Sequence, residues 1–80
     1  MSLDLGRTNI EGRELLEITT RMPSLSYLDL TRCQNLAEQG IVDALKVSSL
    51  QAVNLSHTNI SASGIEEIRK AKPSLVIEGG

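Results

Sequence analysis

The side chains best suited to chemistry in this sequence are its only cysteine, Cys33, and its only histidine, His57. Such a pair can form a nucleophile, because the imidazole takes the thiol proton and leaves a reactive thiolate. A short repeat places both residues near the strand ends of neighbouring units, so the pair has to be considered. The same pattern turns position 33 towards the core and position 57 towards solvent. We therefore predict that the chain is not an enzyme and that Cys33 is a small buried side chain.

Metal, phosphate and nucleic-acid chemistry lack the residues that they need. One cysteine, one histidine and scattered carboxylates give none of the spacings of a zinc site, and the 6 glycines form no phosphate-binding loop after a strand. A net charge of −2 provides no basic surface for nucleic acid or an anionic membrane. No apolar run approaches the ~18 residues of a membrane span. We predict no cofactor, no metal, no nucleic acid and no membrane partner.

Cysteine usage and the first residues indicate the compartment. A single cysteine cannot form an internal disulfide, whereas small extracellular domains usually contain several. The start of the chain, MSLDLGRTN, has no basic region followed by an apolar stretch, so no secretory signal is visible. We predict an intracellular, cytoplasmic protein.

The elements that position these residues come from a repeat of about 25 residues. Leu25, Leu50 and Leu75 each follow a serine, and RTNI at 7–10 recurs as HTNI at 57–60. An internal period of this length is the mark of a solenoid, in which each unit stacks on the next.

Each unit divides into two halves of different periodicity. Alternating segments such as YLDL and AVNL predict short strands, and apolar residues three or four apart predict a helix after each strand. We expect helices over 12–22, 38–47 and 62–72. Unit two carries one extra residue before Leu36, and the register returns by Leu50.

This pattern predicts a single α/β domain over 1–80, built as a solenoid of about three units. The units cover 1–24, 25–49 and 50–74, with a terminal half-unit at 75–80. A parallel sheet forms the concave side, helices form the convex side, and the leucines fill the layer between them. Position 33 also turns inward, where a small group suits the bend of the chain. Its equivalents in the other units are Thr8 and Thr58.

Two stretches resemble a known family. LxxLxLxxC followed by LAEQGI in unit two, and VNLSHTNISASGI in unit three, resemble leucine-rich repeats, and specifically the cysteine-containing subtype of F-box-type and related intracellular proteins. That subtype opens its helix with a motif of the form L/I-T-D-x-G-L. Gly40 and Gly64 match its glycine, whereas Glu14 stands there in unit one, and Ala37-Glu38 and Ser61-Ala62 replace Thr-Asp. The resemblance implies a non-catalytic recognition arm, for example of a ubiquitin-ligase adaptor.

The two ends of the array are predicted to differ. Glu78 and Gly80 stand where the 25-residue pattern requires apolar side chains, so LVIEGG is expected to be a terminal half-unit whose Val76 and Ile77 finish the core. The first strand begins at once and exposes unpaired backbone groups. We expect further chain before residue 1, in which case the domain is the C-terminal part of a longer array. Otherwise the first strand should pair with another molecule, such as a second copy.

The outward strand residues form the concave surface, where we predict that a protein or peptide binds. Tyrosine and arginine are frequent anchors in such interfaces. The candidate binding residues are Tyr27, Asp29, Thr31, Arg32, Asn54, Ser56, His57, Asp4 and Arg7. Two alternatives stay open: a structural or assembly subunit whose partner covers an edge or the helical face, and an isolated engineered or truncated repeat fragment without activity of its own.

Overall fold

Strands and helices alternate along the chain in a stack of parallel units. The computed structural model describes residues 1–79, so Gly80, which the sequence places in the terminal half-unit, lies outside the described residues. The elements are β1 Ser2–Asp4, α1 Gly12–Arg21, β2 Tyr27–Asp29, α2 Glu38–Lys46, β3 Ala52–Asn54, α3 Ala62–Ala71 and β4 Val76–Glu78. The sheet has the order β1-β2-β3-β4, and each neighbouring pair is parallel. The predicted strand–helix solenoid and its three helices are confirmed.

One aliphatic layer between the sheet and the helices forms the core. Leu28 and Leu30 are fully buried in unit two, as are Val53 and Leu55 in unit three. Strand side chains alternate between the two faces of a sheet, so an inward residue at 28 requires outward residues at 27 and 29. The helices close this layer with buried aliphatic residues, among them Leu15, Ile41, Leu45 and Ile68.

The turn after each strand is stabilised by the small residue predicted there. Cys33 is fully buried, and its Sγ–H donates to the Leu5 carbonyl oxygen of unit one at 2.9 Å. Thr8 and Thr58 instead donate their hydroxyls within their own units, to Leu5 and Leu55 carbonyl oxygens at 2.8 Å. The inward prediction is confirmed for Cys33. The Thr8 hydroxyl also lies 3.8 Å from Cys33 Sγ, although Thr8 as a whole is exposed because unit one stands at the edge of the stack.

Glycines let neighbouring helices approach closely. A Cβ on Gly40 would lie 2.9 Å from the Gly12 Cα, so α1 and α2 touch through their backbones. Between α2 and α3 the space above Gly64 is filled by Glu38, whose carboxyl carbon would lie 2.8 Å from a Cβ on that glycine. Glu38 accepts the backbone N–H of Ser61 at 2.6 Å. A carboxylate of unit two therefore satisfies a backbone donor at the start of the helix in unit three, where negative charge is favourable.

The last strand joins the sheet one residue earlier than the 25-residue period requires. Ile77 pairs with Val53 and packs on the core, whereas its neighbour Val76 is 58% exposed on the opposite face. The prediction that both residues finish the core is therefore wrong for Val76, because adjacent strand residues point to opposite faces. Glu78 pairs with Asn54 and so lies in an outward row, not at a failed core position.

Truncating an inward leucine should destabilise the chain strongly. We expect Leu28→Ala to lower the free energy of unfolding by about 2–5 kcal/mol, because it leaves a cavity in the packed core. Leu16→Ala makes the same truncation at a residue that is 39% exposed on α1, and should cost about 0.5 kcal/mol. Urea denaturation of both variants checks this expectation, and equal losses would contradict it.

The carboxylate between units two and three should make stability depend on pH. Hydrogen bonds from the Ser61 hydroxyl and backbone N–H hold the pKa of Glu38 below its usual range. A carboxyl group with a lowered folded-state pKa stabilises the fold above its unfolded pKa, about 4.3 for glutamate, and loses that contribution as the pH falls through the folded value.

Glu38→Gln keeps an acceptor but does not titrate, so the variant should be less stable at pH 7 and should lose less stability on acidification. Urea midpoints of both proteins between pH 7 and pH 3 should converge towards the acid end. Parallel curves would show that Glu38 does not carry this linkage.

Candidate functional site

The outward strand residues lie in continuous rows across the sheet. One row runs Ser2, Tyr27, Ala52, Val76, and the next runs Asp4, Asp29, Asn54, Glu78. The rows expected from the 25-residue period are therefore present in units one to three. Glu78, which the 25-residue period did not place there, extends the acidic row because the terminal half-unit reaches its strand one residue earlier.

The acidic row also builds the turns that follow the strands. Each Oδ1 accepts the backbone N–H two residues further on, an arrangement typical of Asx turns. The pairs are Asp4 with Gly6 at 2.8 Å, Asp29 with Thr31 at 2.9 Å, and Asn54 with Ser56 at 2.9 Å. Thr31 adds its hydroxyl to the same Asp29 oxygen. The turns engage only Oδ1 of each carboxylate, so a partner can be bound through Oδ2 without unmaking the turn.

A residue in the left-handed backbone region follows each of these turns. Arg7, Arg32 and His57 have φ values of 63°, 62° and 58°. The strand ladder continues through the first two, since Arg7 N–H donates to the Thr31 carbonyl at 2.8 Å and Arg32 N–H to the Ser56 carbonyl at 2.9 Å. This conformation costs a residue with a Cβ roughly 1–2 kcal/mol, and glycine would adopt it without that cost. All three side chains are exposed.

A cavity of about 360 Å³ opens on this face between units one and two. Its lining includes Asp4, Asp29, Arg7 and Thr31. The structure thus brings four of the nine predicted residues around one hollow, with carboxylates and a guanidinium on its wall. The other five, Tyr27, Arg32, Asn54, Ser56 and His57, lie on the same face outside that lining.

Tyr27 is half-buried, in the row beside the acidic one. Partial burial raises the pKa of its phenol, and the Glu78 and Asp29 carboxylates raise the pKa further, while a hydrogen bond with Asn54 opposes them. The phenol therefore lies within the electrostatic field of the acidic row. The 25-residue period could not reveal the Glu78 contact, because it puts that residue in the wrong place.

Cys33 and His57 do not present an exposed nucleophile. The thiol is fully buried and hydrogen-bonded to the Leu5 carbonyl, whereas the histidine is exposed at the strand exit of unit three. Among residues 1–79, no group of three or more His, Cys, Asp or Glu side chains is arranged to hold a metal ion. None of the helices within the described part of the chain has the length and apolar character needed to cross a bilayer.

Comparison with known proteins gives one finding that agrees with this geometry. Residues 48–68, which contain β3 and the first part of α3, match the model of a family described as Leucine Rich repeat. No solved structure matches the chain. The matched segment has the same strand, turn and helix as the units stacked before it. The match therefore shows that unit three is similar to a leucine-rich repeat.

Proposed function

We propose that this chain is a non-catalytic protein-interaction module that binds a protein or peptide through its concave strand face. Leucine-rich repeats generally mediate protein–protein interaction and are typically non-catalytic. The observation that carries the proposal is the row Arg7, Arg32 and His57. Three successive units keep a large polar side chain in a backbone conformation that glycine would adopt at lower cost. Strain retained at an exposed position points to use of the side chain.

The chemistry of the face favours a polar, extended partner segment. Asp4 and Asp29 can accept hydrogen bonds from a lysine, an arginine or a backbone N–H. Arg7 and Arg32 can donate to carboxylates or carbonyl oxygens, and arginine does so in a bidentate geometry. Tyr27 offers an apolar ring with a polar tip, a combination favoured in interfaces. Thr31, Asn54, Ser56 and His57 complete the predicted contact surface.

The proposal extends to the subtype and the compartment. The cysteine-containing subtype is supported by Cys33, which is buried at the turn and joins two units through its bond to Leu5. A single thiol that takes part in packing suits a reducing, intracellular and cytoplasmic setting. The connection with ubiquitin-ligase adaptors is an analogy taken from the subtype.

Changing the charges of the concave face should weaken partner binding while the fold is kept. Asp29→Asn leaves an Oδ1 to accept the Thr31 N–H, as Asn54 does in unit three, and Arg32→Glu reverses the adjacent charge. The matched control is Arg69→Glu on the exposed side of α3. We expect the double variant to bind the captured partner at least about tenfold more weakly, since a charged hydrogen bond contributes roughly 1.5–3 kcal/mol. The control should bind normally.

The measurement is affinity capture with the tagged chain, followed by titration of each captured protein against the three forms. A partner that tolerates the double variant but is lost with Arg69→Glu would contradict the proposal and favour an assembly subunit that uses its helical face. Failure of all three forms to retain a partner would favour a repeat fragment without activity of its own.

Tyr27 is the chain's only aromatic residue and can report on this face. Since burial and nearby carboxylates raise the pKa of its phenol, the titration midpoint of Tyr27 in the free chain should lie above the ordinary tyrosine pKa of about 10. Glu78→Gln removes one of those carboxylates and should lower the midpoint, whereas Glu66→Gln on α3 should not. Ultraviolet absorbance of the phenolate during alkaline titration checks this, and an unchanged midpoint in Glu78→Gln would contradict it.

A further inference from the structure

The open end of the stack at unit one carries a groove of about 620 Å³. Six of its lining residues matter here: Leu5, Asn9, Ile10, Glu14, Glu17 and Ile18. Unit one matches unit three with a constant offset of 50 residues, so five of these have an identical counterpart at Leu55, Asn59, Ile60, Glu67 and Ile68. Unit three uses that same side of the unit to pack on unit two.

Burial shows what the open end lacks. Leu55 and Ile68 are fully buried, whereas Leu5 and Ile18, in the same places of the repeat, are only half-buried. The residue types are the same, so the difference comes from the missing neighbour. Groups of this kind gain stability when apolar area is removed from water.

Two polar contacts join units two and three. In each of them the residue that unit three contributes has an identical counterpart in the groove of unit one. Asn59 Nδ2–H donates to the Gln34 carbonyl oxygen at 2.6 Å, and the Lys46 ammonium lies 3.0 Å from Glu67 Oε2. Asn9 and Glu17 hold the corresponding positions in unit one, but Glu17 already pairs with Arg21, another lining residue of the groove, at 2.9 Å. The groove therefore presents an amide for a backbone carbonyl beside an apolar strip, whereas its Glu17 carboxylate already has a cationic partner.

Glu14 is the one of these six lining residues that differs from its counterpart in unit three, and it restricts which unit can dock. Glu14 stands where unit three has Gly64, the glycine above which the Glu38 side chain of the preceding unit lies. Glu14 also accepts the backbone N–H of Glu11 at 3.1 Å, which is the bond that Glu38 supplies to unit three. Unit one makes this contact for itself, and a second glutamate arriving at the same place would overlap with the Glu14 side chain.

We propose that this groove is a docking face for a further leucine-rich repeat unit of defined chemistry, packed in parallel register on β1 and α1. That unit carries a small residue at the position of Glu38. Unit two does not meet this condition, whereas unit three does, since Ala62 occupies that position. The concave residues take no part, so this proposal and the proposed function can fail independently.

Two extensions of the complete chain test the selectivity. Residues 51–75 joined directly before Met1 supply a unit with Ala62, and residues 26–50 joined in the same way supply a unit of equal length with Glu38. We expect the 51–75 extension to raise the thermal midpoint by about 4 °C or more and to slow amide exchange in β1. The 26–50 extension should raise the midpoint less.

Two substitutions make the result specific. Glu14→Gly should bring the gain of the 26–50 extension up to that of the 51–75 extension, because it restores the space that Glu38 needs. Asn9→Ala should reduce the gain of the 51–75 extension, because it removes the amide that corresponds to the Asn59 donor of unit three. Equal gains from both extensions, no gain from 51–75, or no effect of Glu14→Gly would overturn the proposal. Sedimentation of the unextended chain as a dimer that protects β1 would also overturn it, because a second copy would then be the occupant.

Discussion

Each unit of this chain leaves part of its apolar layer and part of its strand hydrogen bonds to be completed by the next unit. Leu28 is fully buried because units stand on both sides of it, whereas Leu3, at the same place in the repeat, is only half-buried at the edge. Stability is therefore held mainly in the contacts between units. The Cys33–Leu5, Asn59–Gln34 and Ser61–Glu38 hydrogen bonds all join neighbouring units and add direction to this packing.

The same dependence fixes the concave surface. Parallel pairing locks the register, and a locked register sends every second strand residue outward. The acidic row then serves two purposes, because each Oδ1 closes a turn while the rest of the side chain faces solvent. These turns are followed by Arg7, Arg32 and His57, whose left-handed backbone places their side chains at the strand exits. Scaffold and candidate binding surface are made by the same residues.

Much of this architecture could be predicted from the sequence, because leucine spacing reports which residues face the core. The three helices, the outward rows of units one to three and the burial of Cys33 all follow from that spacing. The register of β4 could not be predicted, since a deletion of one residue leaves no trace in a segment of six. The left-handed backbone at Arg7, Arg32 and His57 could not be predicted either, because arginine and histidine rarely adopt that conformation, whereas a glycine would have indicated it.

Contacts between units were the least visible of all. The sequence around Glu38 does not indicate that its carboxylate accepts a hydrogen bond from Ser61, 23 residues away along the chain. The meaning of Glu14 follows only once the space above Gly64 is known. Such pairings depend on where helices pass each other, and sequence periodicity describes one unit at a time.

The backbone contact between Gly12 and Gly40 has a consequence for the shape of the whole stack. Hydrogen bonding keeps neighbouring strands about 4.8 Å apart, but the distance between helices depends on the side chains between them. With no side chain separating α1 from α2 at that contact, the outer wall is narrow there and widens between α2 and α3, where Glu38 intervenes. Closer helices at a fixed strand spacing curve a solenoid less, so we expect less curvature between units one and two than between units two and three. A straight ligand would then contact Asp4, Arg7 and Asp29 before it reached unit three.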